Sequence, residues 1–315
     1  MVSKLYFKIT YSSTQTMLPK LLLTGASGMV GKRFHQLYTH KYTIIKLSRY
    51  SREGYSLWNP DLGEIDKNAL FDIDYLVSLA GENIAKKYWT DNRKKKLLES
   101  RINSVTTLID NFKKLRVTPK HVVAASAIGF YGDSGNAVVD EESEAGEGYL
   151  ADTTQLWEQA SARFDDELNI STTKLRIGVV LDKKEGALPP LLLPTYFKVA
   201  PVFLKGKAAL SWVHVDDLCH AIHFAIQHKL EGTYNITAPE TTTYKGFYKI
   251  VATLQKKWLL IINVPTMLVR PLFGELFTLF SNSNCCSSAK IVNAGFTFAY
   301  PTLSGALKHL LEIKK

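Results

Sequence analysis

"LLLTGASGMVGKRF", residues 21–34, is the stretch whose reading decides the fold. A short apolar run stops at Gly25, and "MVGKRFHQLYTH" then reads as a helix. Gly25, Gly28 and Gly31 fall in GxxGxxG spacing across that junction. Gly25 permits a tight turn, Gly28 lets backbone approach a pyrophosphate, and Gly31 lets the helix pack closely on the sheet. The helix start would then turn free N–H groups toward the phosphates. Gly25, Ser27, Gly28, Met29, Val30 and Gly31 are the candidate dinucleotide-binding residues of this loop. The plain alternative is glycine-rich turn chemistry.

Working outward, "YTIIKLS" (42–48) reads as the second strand, ending in Ser48 and Arg49, with Arg52 beyond and no acid before Glu53. An acid at that strand end would bond the 2′-hydroxyl of NAD. A guanidinium beside a hydroxyl suits a 2′-phosphate, so NADP(H) is expected in preference to NAD. An exposed loop arginine that touches nothing is the competing reading. "DYLVSLAG" (74–81), "KHVVAASAIG" (120–129), "TTKLRIGVVL" (172–181) and a late "GTYNITA" (232–238) read as further strands. Between them lie "TDNRKKKLLESRINSVTTLIDNFKKL" (90–115), a long amphipathic helix capped by Thr90 or Asp91, and a second helix beginning near Tyr149. Strand–helix alternation predicts an α/β doubly wound parallel sheet of Rossmann type. From about Asp182 the rhythm shifts to proline-containing loops and helices, a smaller, mainly helical substrate lobe. The expected organisation is an extension over 1–17, a nucleotide-binding domain over 18–235 with 182–211 contributing to the lobe, and a small domain over 236–315.

Composition is compatible with this plan. The chain has 315 residues, 46% hydrophobic and 22% charged, with a net charge of +10 that leaves room for an anionic partner. Three cysteines, Cys219, Cys285 and Cys286, make neither a disulfide framework nor a zinc spacing, so a reducing, cytoplasmic setting is expected. Residues 1–19 are weakly like a transit peptide but lack arginine, and a loosely attached extension is favoured. The apolar stretch "WLLIINVPTMLVRPLFGELFTLF" (258–280) is broken by Pro265, Arg270, Pro271 and Glu275; buried helical structure is expected there, with no membrane partner. The basic run at Arg93 to Lys96 reads as a solvated helix face, with no stacking platform to suggest nucleic acid.

"TGASGMVGKRF", "LAGENIAKKYW", "LLESRINS", "SAIGFYGDSG", "LRIGVVL" and "WVHVDD" occur in the order found in the extended and atypical short-chain dehydrogenase/reductases. From about Leu18 to the C-terminus the chain resembles their nucleoside-diphosphate-sugar epimerase-like subgroup, the SDR39U1/YfcH-like family, including that subgroup's small C-terminal domain. The resemblance implies that Ser48 and Arg49 read the adenosine phosphate. It implies that Leu79, Ala80 and Gly81 line the cofactor, that Arg101 reaches it, and that Val180 passes its nicotinamide end. Without it, Arg101 is one more charge on a basic helix face.

In this superfamily a tyrosine serves as acid/base, a lysine lowers its pKa, and a serine orients the substrate. Ser126, at the end of "VVAASA", fits the serine; otherwise it bonds its own strand end. Anchoring on "LWEQ", with Glu158 as the downstream acid, puts Leu150 and Thr154 in the tyrosine and lysine positions. Tyr149 is then one residue out of register, a rotation of about 100° on a helix. It is nevertheless the first catalytic candidate, with Tyr131 second; each is otherwise an aromatic packing residue. Trp212 and His214 fall where related proteins meet substrate, and Asp216 is the expected N-cap of the next helix, with Asp217 favouring its dipole. His220 and His223, with Cys219, read as surface histidines rather than a metal cluster. "VAPVFLKGKAAL" (199–210) replaces the family's glycine-rich pocket segment, so the substrate does not carry over. The implied function is an NADP(H)-binding, epimerase-like oxidoreductase acting on a sugar nucleotide or similar small polar substrate, with a homodimer left open. The alternative is a catalytically weak NADP(H)-binding module that regulates a partner.

Overall fold

The computed structural model describes residues 17–313; the extension expected over 1–17 falls almost wholly outside them. Eight strands form one sheet: β1 (Lys20–Thr24), β2 (Thr43–Ser48), β3 (Ser56–Asn59), β4 (Glu64–Ile65), β5 (Tyr75–Ser78), β6 (His121–Ala127), β7 (Thr172–Ile177) and β8 (Gly232–Ile236). Their order is β8-β7-β6-β5-β1-β2-β3-β4. Every pairing is parallel except β3 with β4. The order reverses between β1 and β5, which opens a crevice at their carboxyl ends.

Helices cover both faces, because parallel strands are apolar on both sides. On one face α1 (Met29–Tyr38) packs beside α4 (Val215–His228); on the other lie α2 (Asp91–Leu115) and α3 (Tyr149–Leu168). Thr90 caps α2 by accepting from the Arg93 amide at 3.2 Å. The cap of α4 is His214 rather than Asp216: its Nδ1 accepts from the Asp216 amide at 3.0 Å. Asp216, in the first turn, is instead gripped by Arg33 through two bonds of 2.5 and 2.9 Å.

The run "TTKLRIGVVL" forms two strands, because the chain leaves the sheet at Gly178. A Cβ there would lie 2.9 Å from the Ser211 carbonyl, and the continuation Val179–Leu181 pairs with Trp212–His214. A separate core forms around Trp212, Phe247 and Leu303, joining residues near 181–212 to α5 (Tyr244–Leu254) and α7 (Leu303–Leu310). Between them, Leu260–Asn263 is a strand paired with Val199–Val202, and α6 (Thr266–Phe273) has no buried residue. The expected buried helical structure over 258–280 therefore holds only at its end, where Gly274–Phe277 and Thr278–Ser281 are helical with Leu276 and Phe277 buried; before it lie an open two-stranded ladder and a surface helix.

Two histidines are fully enclosed. His121 sits between the hydroxyls of Ser171 (3.1 Å) and Thr173 (2.9 Å), and His214 stacks on Tyr300 at 3.9 Å. Burial lowers both pKa values to about 4. The unfolded chain therefore takes up these two protons first, near the ordinary value of 6.5. Their contribution to stability should be complete above that pH and fall as pH drops toward 4, each adding a slope of about 1.4 kcal/mol per pH unit, and His223, lowered to about 4 by the same burial, adds a third. Urea unfolding across pH 7 to 4.5 checks this, and a flat profile would contradict it. His223 is likewise not a surface histidine, since its Nδ1 meets the Tyr42 hydroxyl at 2.8 Å and its ring packs on Tyr38.

Candidate functional site

The glycine loop closes the crevice at the sheet's switch point. Gly25 has φ +66°, and a Cβ there would lie 2.7 Å from the Leu79 carbonyl. A Cβ on Gly31 would strike the Gly25 carbonyl, so α1 can approach the loop only at a glycine. Thr24, fully buried, ties the two strand ends together: its hydroxyl accepts from the Leu79 and Ala80 amides at 3.0 and 3.1 Å. The result is a groove of about 410 Å³. Gly25, Ser27 and Gly28 line it on one side, Ser48 and Arg49 at the end of β2, and Leu79, Ala80 and Gly81 after β5. Met29, Val30 and Gly31 do not line it; Val30 packs into the core, and Met29 and Val180 flank Gly186 on the far side of the loop.

The carboxylate that organises this groove, Glu82, is not among the residues expected from the sequence. Glu82 takes Arg49 Nη2 at 2.9 Å and Arg93 Nη1 at 3.0 Å, while its amide donates to Ser100 Oγ at 3.0 Å. Burial pushes the Glu82 pKa up, but the bonds from Arg93 and Arg49 outweigh it and leave the group below its ordinary value. Arg93 is thus folded inward, Lys94 pairs with Glu275, and Lys95 with Glu99 at 3.7 Å. The expected solvated basic face is largely ion-paired. "LAGENI" was the available signal, but nothing local says that its glutamate reaches back to Arg49, 33 residues earlier.

Arg101 divides the groove from a second cavity of about 240 Å³ at the ends of β6 and β7. Its guanidinium carbon would lie 3.3 Å from a Cβ on Gly81, and it sits 5.0 Å from the Trp157 ring. It donates to the Leu97 carbonyl at 2.7 Å and the Glu82 carbonyl at 3.3 Å, with no carboxylate partner among the described residues. Burial holds its pKa below the ordinary value. This is a positive group placed where an anion or a carbonyl oxygen can approach.

The catalytic candidates are not brought together. Side chains alternate along a strand, and Ser126 faces α3 beneath the cavity while Ala127 lines it. Ser126 Oγ donates to Glu158 at 2.5 Å, and Arg176 grips the same carboxylate at 2.8 and 3.0 Å. Ser126, Arg176 and Asn235 are direct cross-strand neighbours on β6, β7 and β8. Tyr131 completes the row, receiving Arg176 Nη1 at 2.9 Å and donating to Asn235 at 2.8 Å; burial raises its pKa to about 12, against the lowering pull of Arg176. All five are buried, so neither Ser126 nor Tyr131 can reach a substrate in this arrangement.

Tyr149 does line the cavity, beside Trp89 at 5.0 Å between ring centroids, and its hydroxyl donates to the Lys94 carbonyl at 2.9 Å. Leu150 and Thr154 line the wall next to Gly129, and the Thr154 hydroxyl donates to the Leu150 carbonyl at 2.7 Å. The positions of a tyrosine–lysine relay thus carry a leucine and a threonine that supply no proton and no charge. Trp212 and His214 lie away from the cavity: Trp212 is fully enclosed in the second core, and His214 Nε2 meets His309 Nδ1 at 3.1 Å. Because His214 Nδ1 already accepts a backbone proton, its Nε2 carries the hydrogen and points it at His309. That tautomer leaves His214 no free lone pair for a metal with Asp216 and His309.

Residues 21–237 match the model of the NAD dependent epimerase/dehydratase family. The chain belongs to that family. Residues 264–310 match a domain of unknown function (DUF1731). An epimerase family protein of Bacillus subtilis, YfhF, is 31% identical over 306 residues, covering 94% of this chain and 99% of its own. An Arabidopsis thaliana SDR39U1 homolog described as chloroplastic is 28% identical, covering 97% and 90%. Human epimerase family protein SDR39U1 (isoform 2), solved with NADPH, superposes with a TM-score of 0.84 at 25% identity, covering 93% of this chain and 99% of that one. The chain is an SDR39U1-like member of the epimerase family with a nicotinamide-dinucleotide-binding fold. Among the described residues no helix is long and apolar enough to cross a membrane.

Proposed function

We propose that the chain holds NADP(H) in the groove and uses the adjoining cavity for hydride exchange with a small, mainly apolar carbonyl or alcohol. The bound nicotinamide would supply or accept the hydride. The observation that carries this reading is the cavity wall. Trp89, Leu97, Leu150, Trp157 and Leu210 line it, and Arg101 is its one cation among the described residues. About 240 Å³ with a single guanidinium suits a small carbonyl better than a nucleoside diphosphate sugar, whose diphosphate needs several donors. Arg101 would polarise the oxygen, and Tyr149 is the hydroxyl left to exchange the proton. Tyr244, the other ionisable hydroxyl at the wall, is held protonated by burial.

The NADP(H) preference is supported by Ser48 and Arg49 at the end of β2 and by the NADPH in the human relative. Arg49→Ala should weaken NADPH binding about 10–100-fold, the worth of a charge-assisted hydrogen bond, and leave NADH within about twofold. Fluorescence titration of both cofactors reads this. Parallel loss of both would remove Arg49 as the 2′-phosphate reader.

Ala127, Leu150 and Thr154, standing where a relay would stand, favour a second reading: a cofactor-binding module with little turnover that regulates a partner. NADPH oxidation against a panel of small ketones and aldehydes separates the two. Turnover that drops in Tyr149→Phe with unchanged NADPH affinity supports the enzyme; saturable NADPH binding with no turnover supports the module. Three free thiols, two of them buried, fit a reducing compartment such as the cytoplasm.

A further inference from the structure

Residues 186–215 and 241–274 contain no aspartate or glutamate, yet carry Lys198, Lys205, Lys207, Lys245, Lys249, Lys256, Lys257 and Arg270. These two segments meet in space: Val199–Val202 pairs with Leu260–Asn263, and the Leu260 amide donates to the Lys198 carbonyl at 2.8 Å. Their junction brings Phe197 and Lys198 beside Trp258 and Leu260. Tyr196, Phe197 and Trp258 are exposed by 74%, 76% and 70%, which is unusual for three large aromatics on one tip. Leu260 and Ile262, two apart on the strand, are exposed together and lead to Met267 and Leu268 on the uncovered α6.

We propose that this tip is a docking surface for an anionic lipid membrane. Aromatic rings with polar edges partition to the headgroup level, aliphatic side chains reach the acyl boundary, and flanking lysines meet anionic headgroups. Lys198, Lys256 and Lys257 are exposed, and none forms an ion pair with a described carboxylate, so their charge faces outward. A second copy of the chain is disfavoured as the occupant, because in a symmetric contact the unpaired Lys198, Lys256 and Lys257 of each copy would face one another. A nucleic acid is disfavoured by Leu260, Ile262, Met267 and Leu268, which stack no base. This surface is separate from the span considered in the sequence: it would lie on a bilayer rather than cross one.

The test is co-sedimentation of the full chain with phosphatidylserine-containing and pure phosphatidylcholine vesicles. Binding should be about tenfold or more stronger to the anionic vesicles and fall with salt. Lys198→Glu/Lys256→Glu/Lys257→Glu and, separately, Tyr196→Ser/Phe197→Ser/Trp258→Ser should each abolish it while NADPH titrates as in the wild type, which shows that the variants are folded. Wild-type protein that ignores both vesicles, or variants that bind undiminished, would overturn the proposal. So would tip-dependent dimerisation by sedimentation or tip-dependent capture of a single-stranded oligonucleotide, with no vesicle binding.

Discussion

Glu158→Ala should destabilise the fold by about 3–5 kcal/mol, because it leaves the Arg176 guanidinium buried without its carboxylate. Arg176 is 5% exposed and its charge is sustained against burial by Glu158 and Tyr131, so water cannot replace the lost partner. Against a typical total of about 5–15 kcal/mol, a loss of that size removes about a third to a half of a mid-range stability of about 10 kcal/mol and should lower the urea midpoint in proportion. Ser126→Ala removes one hydrogen bond to the same carboxylate and should cost about 1.5–3 kcal/mol, with NADPH affinity unchanged. Urea midpoints beside cofactor titration measure both. A Ser126→Ala protein with an unshifted midpoint and lost turnover would restore the serine as a substrate-orienting group.

Gly25→Val should abolish NADPH binding, at least about 100-fold, since the added side chain meets the Leu79 carbonyl and the backbone there is left-handed. Strain alone does not explain the effect. Gly63 has a similar φ of +69° with nothing within 4 Å of its Cβ position, so Gly63→Ala should cost about 1 kcal/mol and leave cofactor affinity intact. Isothermal titration of the two variants separates groove geometry from backbone strain. Equal losses in both would mean that the crevice is not where the dinucleotide binds.

The loop was legible because its logic is local: three glycines, one strand and one helix lie within residues 20–38. Ser48 and Arg49 were legible for the same reason, as the residues at a strand end. Ser126 was not. Its role is set by Glu158, 32 residues on, and by Arg176 on the neighbouring strand, and period-two alternation decides which of Ser126 and Ala127 faces the cavity. The register of α3 was readable once "LWEQ" was anchored, since Leu150 and Thr154 do line the wall. β3 and β4 escaped because runs of four and two residues in a polar stretch carry too little periodicity. The exposed tip escaped for the opposite reason: apolar composition alone argues for burial, and only the structure shows which apolar residues lack a cover.

Cys285–Cys286 pairs with Val138–Val139, and the chain just before it, at Asn282 and Asn284, lines the cavity. The wall is thus finished by residues made almost 150 positions after the strand they join. During synthesis the N-terminal half emerges first and folds as it can. The residues lining the groove all lie between Gly25 and Ser104, but the cavity cannot close until the region around residue 284 has left the ribosome. The residues that line the groove are thus all made long before those that finish the cavity, so a ribosome stalled midway would carry a chain with every groove residue and no chamber.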